Sequence, residues 1–414
     1  MDSLKAVSSM KTVDEALQLV GQHAAQLAPM RVRLRDALGL VLAADVTSDV
    51  DSPPYNKAMM DGFAVVASDR SPTRTIIESI MAGDVPRRPI RPGTTARVMT
   101  GAPLPDGATA VVPVEQTELV DEQTVRLEWV DPPPGKHIMP QGLSMSTGQC
   151  IAQAGTVVNS VVMAILAEAG AAVVSAVPRP TVSVLTTGNE LVSVDERPAA
   201  GQIRNSNGPL LESALLERNC TPNVLPSGRD ELHELVELSQ QGLDADVLLV
   251  TGGVSAGVKD LVPAALSAAG VEQVFHKVAL KPGKPLWFGI VPRENGPARL
   301  VFGLPGNPVS GLVCFHLFVA PALAVLAGRA DSVVQRLATG TAAGEFSYAG
   351  GREMFRPAYV DAQHRVEMFP WHGSADLAGM ARANCLAHLP ESGIELAAGQ
   401  RVEYLRLPGS EPPK

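Results

Sequence analysis

Residues 246–260 read DVLLVTGGVSAGVKD. An apolar, β-branched run (246–250) passes without a break into two glycines, small hydroxyls and then an acid. That is the pattern of a buried strand ending in a ligand-facing loop. The same grammar repeats on both sides. TVSVLTTG (181–188) precedes a helical stretch, NGPLLESALLERN (207–219), and DELHELVELSQQG (230–242) leads into the quoted strand. LVPAALSAAG (261–270) follows it. VEQVFHKVAL, PLWFGIV and ARLVFGLPGNP supply further strands before a long helix after Pro308. The alternation predicts a doubly wound, mostly parallel sheet with helices on both faces, spanning residues 179–329.

The texture differs outside this region. TVDEALQLV opens with Thr12 and, three residues on, Glu15, a capping box before helically spaced Val13, Ala16, Leu17 and Val20. PMRVRL reads as a short strand and RDALGLVLAADV (35–46) as a second helix. Between about 46 and 145, short β-rich runs alternate with Pro/Gly clusters, which predicts a small inserted β-domain. GTVVNSVVMAILAEAG returns to helix and ends at Gly170. The expected organisation is therefore a helical domain (1–45 plus 146–178), the insertion (46–145), the central α/β domain (179–329) and a C-terminal β-domain (330–414).

At 414 residues the chain has room for two to four domains. It is 45% hydrophobic and 19% charged, with a formal net charge of −9, which argues against a broad nucleic-acid-binding face. The opening residues lack a signal-peptide pattern, and LVCFHLFVAPALAVLAG (312–328) contains His316 and Pro321 and is short for a bilayer. A buried helix and a cytoplasmic location are expected, with no membrane partner. Four scattered cysteines without a C-x-x-C pair fit a reducing compartment.

Chemistry collects in four polar loops: TTGNEL (186–191), TGGVSAGVKD (251–260), KPGKP (281–285) and LPGNPVSG (304–311). All four are read as lying beyond strand carboxyl ends, where an open parallel sheet takes its ligands. Gly252, Gly253 and Ser255 would bring backbone N–H groups close to an anion, and Asn307 is placed to cap a helix with Pro308 at its first position. In KPGKP the prolines and Gly283 stiffen a turn from which Lys281 and Lys284 project toward an oxyanion. Glu190 and Asp260 offer hard oxygen ligands for Mg²⁺. The alternatives are plain tight turns, surface lysines, and capping or surface carboxylates. The chain has no G-x-x-x-x-G-K-[ST], G-x-G-x-x-G or G-x-S-x-G motif, which disfavours P-loop, dinucleotide and serine-hydrolase readings.

TGNEL, GQIRNSN, TGGVSAGVKD, KPGKPLWFG and GLPGNPVSG, in this order and spacing, resemble the molybdopterin molybdenumtransferases, the MoeA/gephyrin E-domain family. MMDGFAV (59–65), RVMTGAPLPDGATAVVPVE (97–115) and GSADLAGMARANCLAHLP (373–390) extend the resemblance over nearly the whole chain. It implies a homodimer of elongated four-domain protomers. It also implies an Mg²⁺-assisted reaction that takes adenylylated molybdopterin and molybdate and releases AMP and molybdenum cofactor. Handover of the substrate from a molybdopterin adenylyltransferase is implied as well.

Among site residues, the resemblance implies catalytic roles for Asp61, Glu190, Asp260, Lys281 and Lys284, with Glu190 and Asp260 holding the metal. Substrate binding falls to Thr187, Gly188, Asn207, Gly252, Gly253, Ser255, Pro305, Gly306, Asn307, Arg352 and Ser374. Lys281, Lys284, Arg352 and Ser374 are the candidates for molybdate, and a solvated strand edge is the alternative for Arg352 and Arg356. Asp61 is expected to complete the partner subunit's site, with an Asp-Gly turn as the alternative. The chain departs from the family pattern at Ala58, Leu143, Ser144, Asn205 and Val258. The second functional reading is thus a catalytically weakened paralogue that binds pterin or acts as a scaffold. A third is a nucleotide pyrophosphatase on the same central domain.

Overall fold

The computed structural model describes residues 10–254, 261–331, 333–334 and 337–408. The chain divides into two compact units. One comprises Met1–Met30, Gly39–Val41 and Ala176–Lys414, the other Arg31–Leu38 and Leu42–Ser175.

The first unit begins with helix α1 (Val13–His23), which buries Val13, Ala16, Leu17 and Val20. Its expected capping box is present: Glu15 N–H donates to Thr12 Oγ1 at 3.1 Å, and Thr12 N–H donates to Glu15 Oε2 at 2.8 Å. The central sheet has six strands: β1 (Thr181–Thr186), β2 (Thr221–Val224), β3 (Val247–Thr251), β4 (Glu272–His276), β5 (Trp287–Val291) and β6 (Arg299–Leu304), in the order β2-β1-β3-β6-β5-β4. Strands β2, β1, β3 and β6 run parallel, β5 is antiparallel to β6, and β4 is antiparallel to β5. Between these strands come helices α2 (Asn207–Glu217), α3 (Leu232–Gly242) and α4 (Val262–Ala268), and α5 (Pro308–Leu326) follows β6.

Side chains alternate across the sheet. Leu185, Leu248, Val250 and Val301 pack with Leu235 and Leu238 of α3 and Leu266 of α4. Helices α2 and α5 contact each other, and touch β1 and β6 respectively. Helix α5 is long and apolar enough to cross a membrane by composition, but almost all of it is buried within the protein. Its middle, Phe315–Val319, is π-helical.

At the end of this unit, strand Glu353–Val360 pairs with both Arg365–Glu367 and Cys385–Leu389. Ala338–Ala342 and Arg401–Arg406 complete the circuit, so five strands form a closed ring around Tyr404, Val366 and Leu389.

The second unit carries a six-stranded sheet in the order Ala110–Pro113, Gly62–Val65, Thr94–Val98, Thr73–Ile80, Thr124–Leu127, Thr117–Asp121. Both its faces are covered. Ala64, Ala96 and Val111 belong to one apolar cluster, and Phe63, Val65 and Val112 to the other. That explains the unbroken apolar run GFAVV. The helix Ser160–Glu168 is capped by Asn159, whose side chain accepts from Val162 N–H at 2.9 Å, and Gly170 follows it with φ +81°.

One expected element is absent. Residues 35–46 do not form a helix but a 3-10 turn at Leu34–Asp36 and short strands at Val41–Leu42 and Val46–Thr47. Gly39 has φ +76°, which ends helical propagation, and the apolar residues after it pair as strands instead.

Candidate functional site

The register of the parallel strands builds the site. Thr186 of β1 is level with Thr251 of β3, which is level with Leu304 of β6, so three strands end at one rim. The loops leaving that rim are bound to one another. Thr187 N–H donates to Thr251 O at 2.9 Å, Thr251 Oγ1 to Pro305 O at 3.2 Å, and Asn207 Nδ2 to both Gly306 O at 2.8 Å and Thr251 Oγ1 at 3.1 Å. Gly252 sits at φ +99°, and a Cβ there would lie 2.3 Å from Thr187 O. The loop omits side chains because its neighbour's backbone fills their space.

A cleft of about 870 Å³ opens over this rim. It brings together Thr187, Gly188, Glu190, Asn207, Gly252, Gly253, Lys281, Lys284, Pro305, Gly306, Asn307, Arg352 and Ser374. Of the remaining expected residues, Ser255 and Asp260 lie outside the described residues, as does Val258, and Asp61 belongs to the second compact unit.

The route of KPGKP to the cleft differs from expectation. Lys281 ends a two-residue strand, Leu280–Lys281, that pairs with Glu353–Met354 of the C-terminal ring and not with the central sheet. The turn reaches the rim because β5, which follows it, runs antiparallel: Trp287 at its start is level with Gly303 near the end of β6. Gly283 (φ +124°) has no room for a side chain, since a Cβ would lie 2.7 Å from Cys314 Sγ. Both lysines are exposed, and Lys281 Nζ stands 5.4 Å from the Tyr348 ring centre. Arg352 is half-buried and donates to Leu280 O at 2.9 Å, which ties the guanidinium to the same turn. It is not a solvated strand edge.

Asn307 holds the N-cap position of α5, but its side chain makes no capping bond. Its Nδ2 donates instead to Ser374 Oγ at 2.9 Å, and Val309 N–H donates to Ser374 O at 3.1 Å. Asn205 accepts from Gly208 N–H at 3.0 Å and donates to Thr186 Oγ1 at 2.8 Å. Its amide therefore anchors the start of α2 beneath the rim.

Arg204, Asp230 and Trp371 also line the cleft and were not singled out in the sequence. Asp230 was within reach: PSGRD follows β2, at another carboxyl end of the same sheet. Its N–H donates to Asn189 Oδ1 at 3.1 Å. Trp371 had no local signal.

Electrostatically the cleft pairs four cations (Lys281, Lys284, Arg204, Arg352) with the carboxylates of Glu190 and Asp230. Thr187 Oγ1 is buried and without a hydrogen-bond partner among the described residues. No group of three His, Cys, Asp or Glu side chains among those residues converges on one point. Two carboxylates lining a cleft rich in cations nonetheless fit Mg²⁺, which takes one or two protein carboxylates and completes its shell with water and phosphate oxygens. In the second unit, Asp61 Oδ1 accepts from both Thr100 Oγ1 and Thr100 N–H, each at 2.7 Å. These bonds, the hydroxyl's first, hold its pKa below the usual carboxylate value. Gly62 after it begins a strand, and a Cβ there would lie 2.0 Å from Val112 O, so this glycine serves close strand packing.

Residues 11–170 match the family described as MoeA N-terminal region (domain I and II), 183–325 the probable molybdopterin binding domain, and 339–407 the MoeA C-terminal region (domain IV). Molybdopterin molybdenumtransferase 2 of Mycobacterium tuberculosis is 34% identical over 416 residues, covering 96% of this chain and all of that protein. Molybdopterin molybdenumtransferase of Staphylococcus aureus is 30% identical over 405 residues, covering 95% of this chain and 94% of that one. The crystal structure of a molybdopterin biosynthesis MoeA protein from Pyrococcus horikoshii superposes with a TM-score of 0.81 at 27% identity, covering 97% of this chain and all of that one. With strand-end loops, cleft and full-length similarity in agreement, this chain belongs to the molybdopterin molybdenumtransferase (MoeA) family.

Proposed function

We propose that this protein inserts molybdate into adenylylated molybdopterin, releasing AMP and molybdenum cofactor. The observation that carries the reading is the convergence of Lys281, Lys284 and Arg352 with the Gly252 and Gly306 loops on one rim of the central sheet. A pyrophosphate link and molybdate are both multiply charged oxyanions, and such a rim stabilises them without reorganising during reaction. Lys281 and Lys284 neutralise charge on the phosphoryl and molybdate oxygens. Arg352, held by Leu280 O, and Ser374, held by Asn307, orient the oxyanion. Asn207 keeps the β3 and β6 loops together so that backbone N–H groups face the ligand.

Glu190, with Asp260, would hold Mg²⁺ beside the phosphates, and Asp230 lines the same cleft. Bound there, the ion supplies charge neutralisation for the leaving AMP. The four-region division given above, a homodimer in which Asp61 of the partner subunit completes the cleft, and receipt of substrate from an adenylyltransferase belong to the same reading. No observation favours the non-catalytic paralogue or the pyrophosphatase.

The test is direct. Purified protein incubated with Mg²⁺, molybdate and adenylylated molybdopterin releases AMP; a rate equal to a protein-free control overturns the reading.

A further inference from the structure

Trp371 lines the cleft just before Gly373 and Ser374, on the stretch that meets the start of α5. Its surroundings separate it from a ring that merely fills space. The indole Nε1 is buried and has no acceptor among the described residues, whereas Trp287 in the core donates its own Nε1 to Gln273 Oε1 at 3.0 Å. A tryptophan used as packing ordinarily satisfies that donor. Arg356 adds a second feature: its guanidinium carbon lies 5.5 Å from the Trp371 ring centre and 5.0 Å from that of Phe346. The Arg356 Nη2 donates to Phe369 O at 2.7 Å, so this cation–π backing is anchored.

The segment carrying the ring is also pinned. Asp376 accepts from His372 N–H at 3.0 Å and from Gly379 N–H at 2.8 Å, and its own N–H donates to Gly373 O at 3.0 Å. A ring held in place before the ligand arrives costs little ordering on binding. The lysines of the cleft account for phosphate and molybdate, whereas a flat, uncharged ring system needs a π-face to lie against. Trp371 is the aromatic side chain among the lining residues.

We propose that Trp371 is a stacking seat for the planar nitrogen heterocycle of the substrate. The proposal rests on the function given above, in which the ligand carries two such rings, a purine and a pterin. Stacking needs only a π-face from the ligand, so the shared chemistry is the same for both.

The full-length protein is titrated with AMP, with pterin-6-carboxylate and with pyrophosphate, by calorimetry and by tryptophan emission. One heterocycle quenches emission in the wild type. Trp371→Ala weakens that probe's Kd roughly tenfold. Trp371→Phe keeps its Kd near wild type but removes the quench, and pyrophosphate binds all three proteins alike. The probe whose affinity falls identifies the seated ring. Unchanged heterocycle Kd values in Trp371→Ala, or an equal loss of pyrophosphate binding, overturn the proposal and leave the functional reading standing. Failure of both heterocycles to bind the wild type overturns both.

Discussion

At Gly252 the backbone adopts φ +99°, and the carbonyl of Thr187 occupies the place of a side chain. Gly93 provides the control: its φ is +83°, but nothing lies within 4 Å of its would-be Cβ. Gly93→Ala therefore carries only the left-handed backbone penalty, about 1–2 kcal/mol. Gly252→Ala carries that penalty plus a backbone clash and is expected to lose more in urea unfolding, together with AMP binding. Equal losses would show that the contact with Thr187 is unimportant. Lys281 makes a different case. Its ammonium is exposed and, among the described residues, rests near the Tyr348 ring, so Lys281→Ala should leave the unfolding midpoint unchanged. The same change should lower the rate of AMP release about 100-fold, the scale of losing one oxyanion-stabilising donor. A variant with near-native turnover removes Lys281 from the site.

Among the elements, β3 is the most constrained. Leu249 is fully buried at its centre, and Leu249→Ala is expected to cost about 2–5 kcal/mol in denaturant unfolding. A loss under 1 kcal/mol would place that strand at an edge. In the C-terminal ring, His388 Nε2 donates to Glu353 Oε1 at 2.8 Å, its Nδ1 lies 3.5 Å from Glu403 Oε2, and the ring stacks on Phe355. Burial works against the imidazolium, but the two carboxylates outweigh it and raise the pKa above its ordinary value of 6.5. A raised folded-state pKa means that this contribution to stability is fully present below the unfolded pKa and fades as pH rises through the folded one. The stability difference between wild type and His388→Gln should therefore be larger at pH 5.5 than at pH 9. A difference that is flat or grows with pH contradicts the pairing. Elements also mark where sequence reading stopped. The capping box of α1 and the buried character of α5 were legible because short-range spacing and composition set them. The helix expected at 35–46 failed at Gly39, whose left-handed backbone (φ +76°) is not visible in local periodicity.

For the whole molecule, the proposed dimer makes a demand that no single chain meets. If Asp61 serves the partner's cleft, Asp61→Asn and Lys281→Ala homodimers are each strongly impaired. Mixing and re-equilibrating them should restore part of the AMP release, because a mixed dimer holds one intact site. Absence of rescue, with mixed dimers demonstrated, would overturn the composite arrangement. By itself the sequence determined the alternation of strands and helices, the glycines at strand ends and the residue types available for an oxyanion, since each depends on period, backbone freedom or side-chain chemistry over a few neighbours. Tertiary structure alone decided that Thr186, Thr251 and Leu304 end level, that KPGKP arrives by way of an antiparallel strand, that Asn307 turns to Ser374, and that Trp371 enters the cleft. Those outcomes depend on strand register and on packing between segments distant in sequence, 67 residues apart for Asn307 and Ser374, and no local propensity encodes them.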